Sequence, residues 1–294
     1  MIWEHVASNK RSSYLLFFFF FLFCIGMGLL FGFITGWGYF GAIFALIIAI
    51  LMAFFTYYYS DTIVLKISRA RPATHQEDTF LDNIVEGLSI AAGIPKPKIY
   101  VIEDTAPNAF ATGRDPQHGV ICVTTGLMQK MNRAELEGVI AHEMSHIGNY
   151  DIRFMMLVTV MVGLIALLSD WMLRSFWWGG GKRDNNGKFG LVLLVIAIAM
   201  AILAPIIAML MQLALSRKRE YLADASAAIL TRYPEGLASA LEKLSKDKEP
   251  LEAANKATAH LYIVNPLKNH KSFLNNLFST HPPLEERVKR LRAM

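Results

Sequence analysis

The residues best able to do chemistry lie in one short run, Val139-Ile140-Ala141-His142-Glu143-Met144-Ser145-His146. It holds the pattern H-E-x-x-H. On a helix, positions i and i+4 share a face, so both imidazoles can reach one metal ion. Glu143 falls on the adjacent side, where it can take a proton from an attacking water. By residue frequencies alone the pattern arises in about one chain in a hundred of this size. Its surroundings must therefore decide between a catalytic site and an ordinary helix with two surface histidines. Asn132 and Glu135 form an N-cap and capping-box pair that opens a helix running through Ile147, and apolar residues fill the helix's other face. That context points to metal-dependent hydrolysis, with His142 and His146 as ligands and Glu143 as the general base.

A catalytic zinc takes three protein ligands and keeps one position open. The third must come from the carboxylates, histidines and cysteines downstream. In Arg219-Glu220-Tyr221-Leu222-Ala223-Asp224-Ala225, Glu220 and Asp224 are again four apart on one helical face. Glu220 is assigned as the third ligand, and Asp224 as the acceptor that fixes the tautomer of a ligating histidine. The alanines flanking Asp224 predict burial, and a buried carboxylate needs partners. His5, His75, His118, His260 and His270 have no such constellation and are read as surface residues. Cys24 and Cys122 show neither CxxC spacing nor a disulfide framework, which puts the polar parts in a reducing compartment.

Four apolar blocks must carry these elements: about Tyr14 to Ile34, Tyr39 to Tyr59, Phe154 to Trp178 and Phe189 to Leu215. The first two each approach the roughly 20 residues that cross a bilayer core. The third, interrupted by Asp170 and Arg174, and the fourth either span it or form a hairpin partly buried in protein. The 294 residues are 54% hydrophobic, above the share of soluble domains, and the excess sits in these blocks. The first is read as a retained anchor, because the second follows at once without a cleavage site. The net charge of +5 does not imply a nucleic-acid partner, since no basic stripe interleaved with aromatics appears. Lys10 and Arg11 precede the first block, Lys66, Arg69 and Arg71 follow the second, and Arg217 to Arg219 follow the fourth. Those sides are expected to be cytoplasmic. Lys182, Arg183 and Lys188 in the second loop argue weakly the other way.

Both polar segments then share one side of the membrane. Glu220 lies five residues beyond Leu215 and His146 eight before Phe154. At 1.5 Å per helical residue, both sit roughly 10 Å from the membrane edge. Within the first segment Phe80 to Ala92 has helical periodicity and stops at Gly93-Ile94-Pro95. Lys98 to Ile102, Asn108 to Thr112 and Val120 to Thr124 read as strands, the last two joined by residues 113–119.

Several of these motifs together resemble the HtpX-type membrane zinc metalloproteases, relatives of the CAAX prenyl proteases. The resemblance runs from Lys10-Arg11 to Ser279-Thr280-His281-Pro282-Pro283. It includes Asn108-Ala109-Phe110-Ala111-Thr112-Gly113, the H-E-x-x-H run, Asn149 with Asp151, and Glu220 to Asp224. It implies an α+β membrane protein in which four transmembrane helices carry a cytoplasmic zincin-like (gluzincin) metallopeptidase domain. The expected division is an N-terminal hairpin over 1–59, a half with the H-E-x-x-H helix over 60–153, a second hairpin over 154–215 and a C-terminal half over 216–294. One Zn2+ per chain is implied, with a His-His-Glu ligand set and a role in membrane protein quality control and stress response. The implied location is a bacterial-type plasma membrane, and the implied partners are unfolded or membrane polypeptides and the lipid bilayer.

His281, in the C-terminal motif, is either an oxyanion donor or a structural residue. Asn108, Ala109, Phe110 and Ala111 are expected to form an edge strand that pairs with substrate; otherwise Phe110 is simply core. Two rival readings are a site-specific processing peptidase of the prenyl-protease kind and a catalytically silent, zinc-containing membrane scaffold.

Overall fold

In a computed structural model of the chain, the residues described are 2–157, 217–247, 249–252, 258, 261–264 and 282–294. The third and fourth apolar blocks, the loop between them, His260, His270 and His281 lie almost wholly or wholly outside them. Two helices, α1 (Ile2–Thr35) and α2 (Phe40–Ile67), form the N-terminal hairpin. Their backbones approach closely at glycine: a Cβ on Gly28 would lie 2.6 Å from the Gly41 carbonyl oxygen. Among the described residues, no single helix is long and apolar enough to cross a membrane. Phe40–Phe55 and Tyr57–Ile67, bent by 63° at their junction, meet that requirement together.

The polar part is mostly helical with one small sheet. After β1 (Arg71–Pro72) comes α3 (His75–Ala92), then β2 (Lys98–Ile102), β3 (Ala109–Thr112) and β4 (Val120–Thr124). Next are α4 (Thr125–Lys130) and α5 (Arg133–Gly148); beyond the undescribed stretch come α6 (Arg217–Thr231), α7 (Pro234–Lys246) and α8 (Leu284–Leu291). The strand order is β1-β2-β4-β3, with β2 parallel to β4 and the other pairs antiparallel. The three longer strands lie where their alternation and turn residues predict. Helix α3 starts earlier than its apolar periodicity, because Thr74 and Glu77 form a capping box there, and it ends on Gly93 at φ +65°.

Successive strand residues face opposite sides of the sheet. Ile99, Val101, Ala109, Ala111, Ile121 and Val123 join the core formed with α3, α5 and α7. Phe110, Cys122 and Ile102 join a second core with Val64 and Leu65 of α2 and with Tyr262. Phe110 is fully buried with its ring centroid 5.0 Å from that of Tyr262, so its side chain is core. The alanines on the other face of β3 are small enough to let α5 lie close above it.

Two features fix α5 from its other sides. Its N-terminus carries the capping box expected from the sequence: Glu135 N–H donates to Asn132 Oδ1 at 2.9 Å, and Asn132 N–H to Glu135 Oε2 at 2.8 Å. Glu135 also accepts from Ser239 and from Lys243 of α7, at 2.6 and 2.7 Å. Burial alone would raise the Glu135 pKa, but the Lys243 and Ser239 donors outweigh it and hold the carboxyl below its ordinary value. At Gly138 a Cβ would lie 2.6 Å from the Leu237 backbone nitrogen, so only glycine lets α5 and α7 meet this closely.

Candidate metal centre

Helix α5 presents His142 and His146 one turn apart, and α6 lies across them with Glu220. All three side chains are buried. The two Nε2 atoms are 3.2 Å apart; Glu220 Oε2 is 3.7 Å from His142 Nε2, and Glu220 Oε1 is 3.5 Å from His146 Nε2. Bonds of 2.0–2.1 Å to a tetrahedral zinc would put neighbouring ligand atoms about 3.3 Å apart. The donor set and its spacing therefore fit such an ion, and this is the one group of three metal-ligating side chains among the described residues.

Each imidazole has its other nitrogen engaged. His142 Nδ1 is 3.0 Å from Asp224 Oδ1, the acceptor role read for Asp224 from sequence. His146 Nδ1 is 3.1 Å from Asp151 Oδ2. Such contacts turn both Nε2 atoms toward the common centre and make them better ligands. Burial would lower the His146 pKa, yet Asp151 and Glu220 together raise it well above its ordinary value.

Sequence reasoning missed Arg287. This fully buried guanidinium on α8 donates through Nε and Nη2 to the two oxygens of Asp224, at 2.9 and 2.7 Å. Its Nη1 lies 3.3 Å from Glu220 Oε2. Burial works against the charges of both Arg287 and Asp224. The pair nevertheless keeps the Asp224 pKa below and the Arg287 pKa above its ordinary value. One signal was present: Arg287 falls on the same face as Leu284, Val288 and Leu291, where a cation has no reason to sit unless it meets an anion.

Glu143 is buried on the adjacent side of α5. Burial raises its pKa, offset in part by His142 and His146, and the Ala111 backbone N–H points to its carboxylate. Strand β3 is the edge of the described sheet, and Ala109 and Ala111 turn their backbone groups away from β4. The edge is not wholly open, because Ile263 N–H donates to the Ala109 carbonyl at 3.0 Å. Asn108 is a buried connector: its Nδ2 donates to the Val264 carbonyl at 3.0 Å, and its Oδ1 accepts from Ala109 N–H at 3.1 Å. Outside the site, His118 is exposed and pairs with Asp115 at 2.7 Å.

A capped helix bearing two histidines and a glutamate, faced by a second helix whose Glu220 completes a group able to hold a metal, is the arrangement of a metal-dependent hydrolase. Residues 75–294 match the model of peptidase family M48. A "Protease HtpX homolog" of Dictyoglomus thermophilum is 52% identical over 298 residues, covering 99% of this chain and 94% of that one. Another, of Caldanaerobacter subterraneus subsp. tengcongensis, is 48% identical and covers 100% and 98%. One of Streptococcus uberis is 42% identical over the full length of both. In fold, the crystal structure of S. mikatae Ste24p is similar, with a TM-score of 0.52 at 20% identity over 98% of this chain and 66% of that one. The chain belongs to peptidase family M48. It is a metalloprotease, and its substrates are polypeptides.

Proposed function

We propose that this chain is a membrane-bound zinc endopeptidase that hydrolyses peptide bonds of misfolded or damaged membrane proteins on the cytoplasmic face of a bacterial-type plasma membrane. The observation that carries the reading is the convergence of His142, His146 and Glu220 beside a buried Glu143. These three residues would hold the zinc, which when bound polarises the scissile carbonyl and acidifies the attacking water. Glu143 accepts the proton of that water and returns it to the leaving amine. Burial raises its pKa, and a carboxyl less acidic than an exposed one is better able to take up that proton. Asp224 and Asp151 hold the imidazoles; Arg287 holds Asp224. The substrate lies extended along the outward edge of β3 beside Ala111, whose backbone N–H points to Glu143.

The membrane part of the reading has its own support. Side chains such as Phe18, Phe19, Ile43, Phe44, Ile47 and Phe54 along α1 and α2 are half or more exposed, large apolar groups of the kind that cover a lipid or partner contact. Glycine-mediated approach of two apolar helices is also the packing that lipid favours. We assign residues 1–59 to a membrane hairpin and 154–215 to a second one. The segments 60–153 and 216–294 form the two halves of a cytoplasmic catalytic domain.

Glu143→Gln tests the reading. With the ligands intact, the variant should bind zinc and fold as the wild type does, yet lose cleavage of an unfolded membrane protein by several orders of magnitude. Cleavage at the wild-type rate would remove Glu143 from its role.

A further inference from the structure

We propose that Asn9, on the N-terminal helix, is a positioning residue for the metal centre: it holds Asp151, and through Asp151 it holds the ligand His146. The inference rests on reading His142, His146 and Glu220 as metal ligands. It assigns the N-terminal helix a role that a membrane anchor alone would not have.

Asn9 is buried, and its amide nitrogen makes two contacts. It donates to the Asn149 carbonyl at 2.8 Å and to Asp151 Oδ1 at 2.6 Å. Asn149 is the C-cap of α5, and Asp151 begins the next helical stretch. Between them Tyr150 takes a left-handed φ of +60°, a sharp and costly turn for a residue with a side chain. Lys10 lies over the Tyr150 ring at 4.4 Å, so two successive residues of α1 engage this one turn.

The geometry at Asp151 gives Asn9 its effect. A carboxylate is free to rotate about its terminal torsion, and only one orientation aims an oxygen squarely at an imidazole. Oδ2 faces His146 Nδ1 at 3.1 Å, while Oδ1 is held by Asn9. With Asn9 removed, the donor left near Oδ1 among the described residues is Arg219, whose Nε stands 3.7 Å away. The chemistry of the donor matters as well. A lysine or arginine in place of Asn9 would set a second cation on Asp151 beside Arg219, whereas a neutral amide orients the carboxylate and adds no charge of its own. An outer carboxylate that keeps its charge makes the histidine a stronger ligand. The contact spans 142 residues of sequence. It joins the start of the first apolar helix directly to the turn after the zinc-binding helix.

The test uses the full chain in detergent. Zinc affinity is measured by competition with a chelator, ligand geometry by the visible bands of the Co2+ form, and turnover as separate kcat and KM. Asn9→Ala should fold and bind zinc about tenfold more weakly, the lower range for loss of an outer partner. Its Co2+ bands should shift, and kcat should fall while KM stays as in the wild type. Because Asn9 acts through Asp151, the double variant Asn9→Ala/Asp151→Asn should bind zinc no more weakly than Asp151→Asn alone. Ser13→Ala, which removes only a bond from the Ser13 hydroxyl to the Asn9 carbonyl within α1, should match the wild type. A merely structural role for Asn9 would lower thermal stability and leave the affinity and Co2+ bands of the folded protein unchanged, which overturns the proposal. So do losses that add up in the double variant. If Asn9→Ala does not fold, Asn9→Asp keeps the shape but replaces the donor with an acceptor, and wild-type zinc affinity in that variant overturns the proposal equally. A wild-type chain that takes up no zinc would instead overturn the metal centre itself, and the proposal with it.

Discussion

Glu220 and Asp224 stand one turn apart, and their removal should have different consequences. Glu220→Ala takes away a ligand, so the purified variant should lose most of its zinc. Asp224→Ala leaves the ligands but frees His142 Nδ1, and zinc affinity should fall about 10–100-fold. It also takes from the buried Arg287 guanidinium its two closest acceptors and leaves it Glu220 alone as a carboxylate partner among the described residues, so we expect stability to fall as well. Metal analysis and thermal unfolding of both variants check this; full zinc content in Glu220→Ala would remove it from the site. Glu220, Asp224 and the two histidines were legible in the sequence because each pair repeats at helical spacing. Asp151 was quoted only as part of a resemblance, and Asn9 drew no attention. Their roles depend on contacts between distant parts of the chain, which no local spacing encodes.

At the scale of elements, β3 couples sheet and site. Its alanines face α5, and its outward backbone borders Glu143. Ala109→Pro removes an outward N–H that, among the described residues, bonds to the neighbouring Asn108 side chain, and spares the pairing with β4. We expect zinc content and stability near wild type with a raised KM for peptide cleavage. Unchanged kinetics in a folded variant would move the substrate to another element. The three longer strands could be read from alternation bounded by turns, and α5 from its cap. Helix α3 could have been read from its true start, since Thr74-x-x-Glu77 is the same kind of signature as Asn132-x-x-Glu135. The parallel pairing of β2 with β4, which places β3 at the edge, could not be read, because register across a sheet is a non-local choice. Strand β1 has two residues and no periodicity to detect. It is held instead by Arg71, which pairs with Glu77 at 2.8 Å and also with Glu103.

In the whole molecule, the centre draws side chains from α1, α5, the turn after it, α6 and α8. A zinc bound there ties these helices into one unit, and at free zinc a hundredfold above Kd it should add about 2.7 kcal/mol to stability. Thermal unfolding in detergent should therefore move down on chelation and recover on adding zinc back. Identical midpoints would mean that the folded chain does not hold the ion. The apolar blocks made the expectation of a membrane protein readable from composition alone. How α1 leans on the turn after α5 was not legible, because it rests on Asn9 and Lys10 meeting residues far along the chain. Arg287 carries a consequence of another kind. Ribosomes deliver a chain from its N-terminus onward. Asn9 emerges before the histidines, and the guanidinium that balances Asp224 and Glu220 follows Asp224 by 63 residues. Until α8 has been made, the two buried acids of α6 lack that counter-charge, so the ion pairs of the centre close only after all of its candidate ligands are in place.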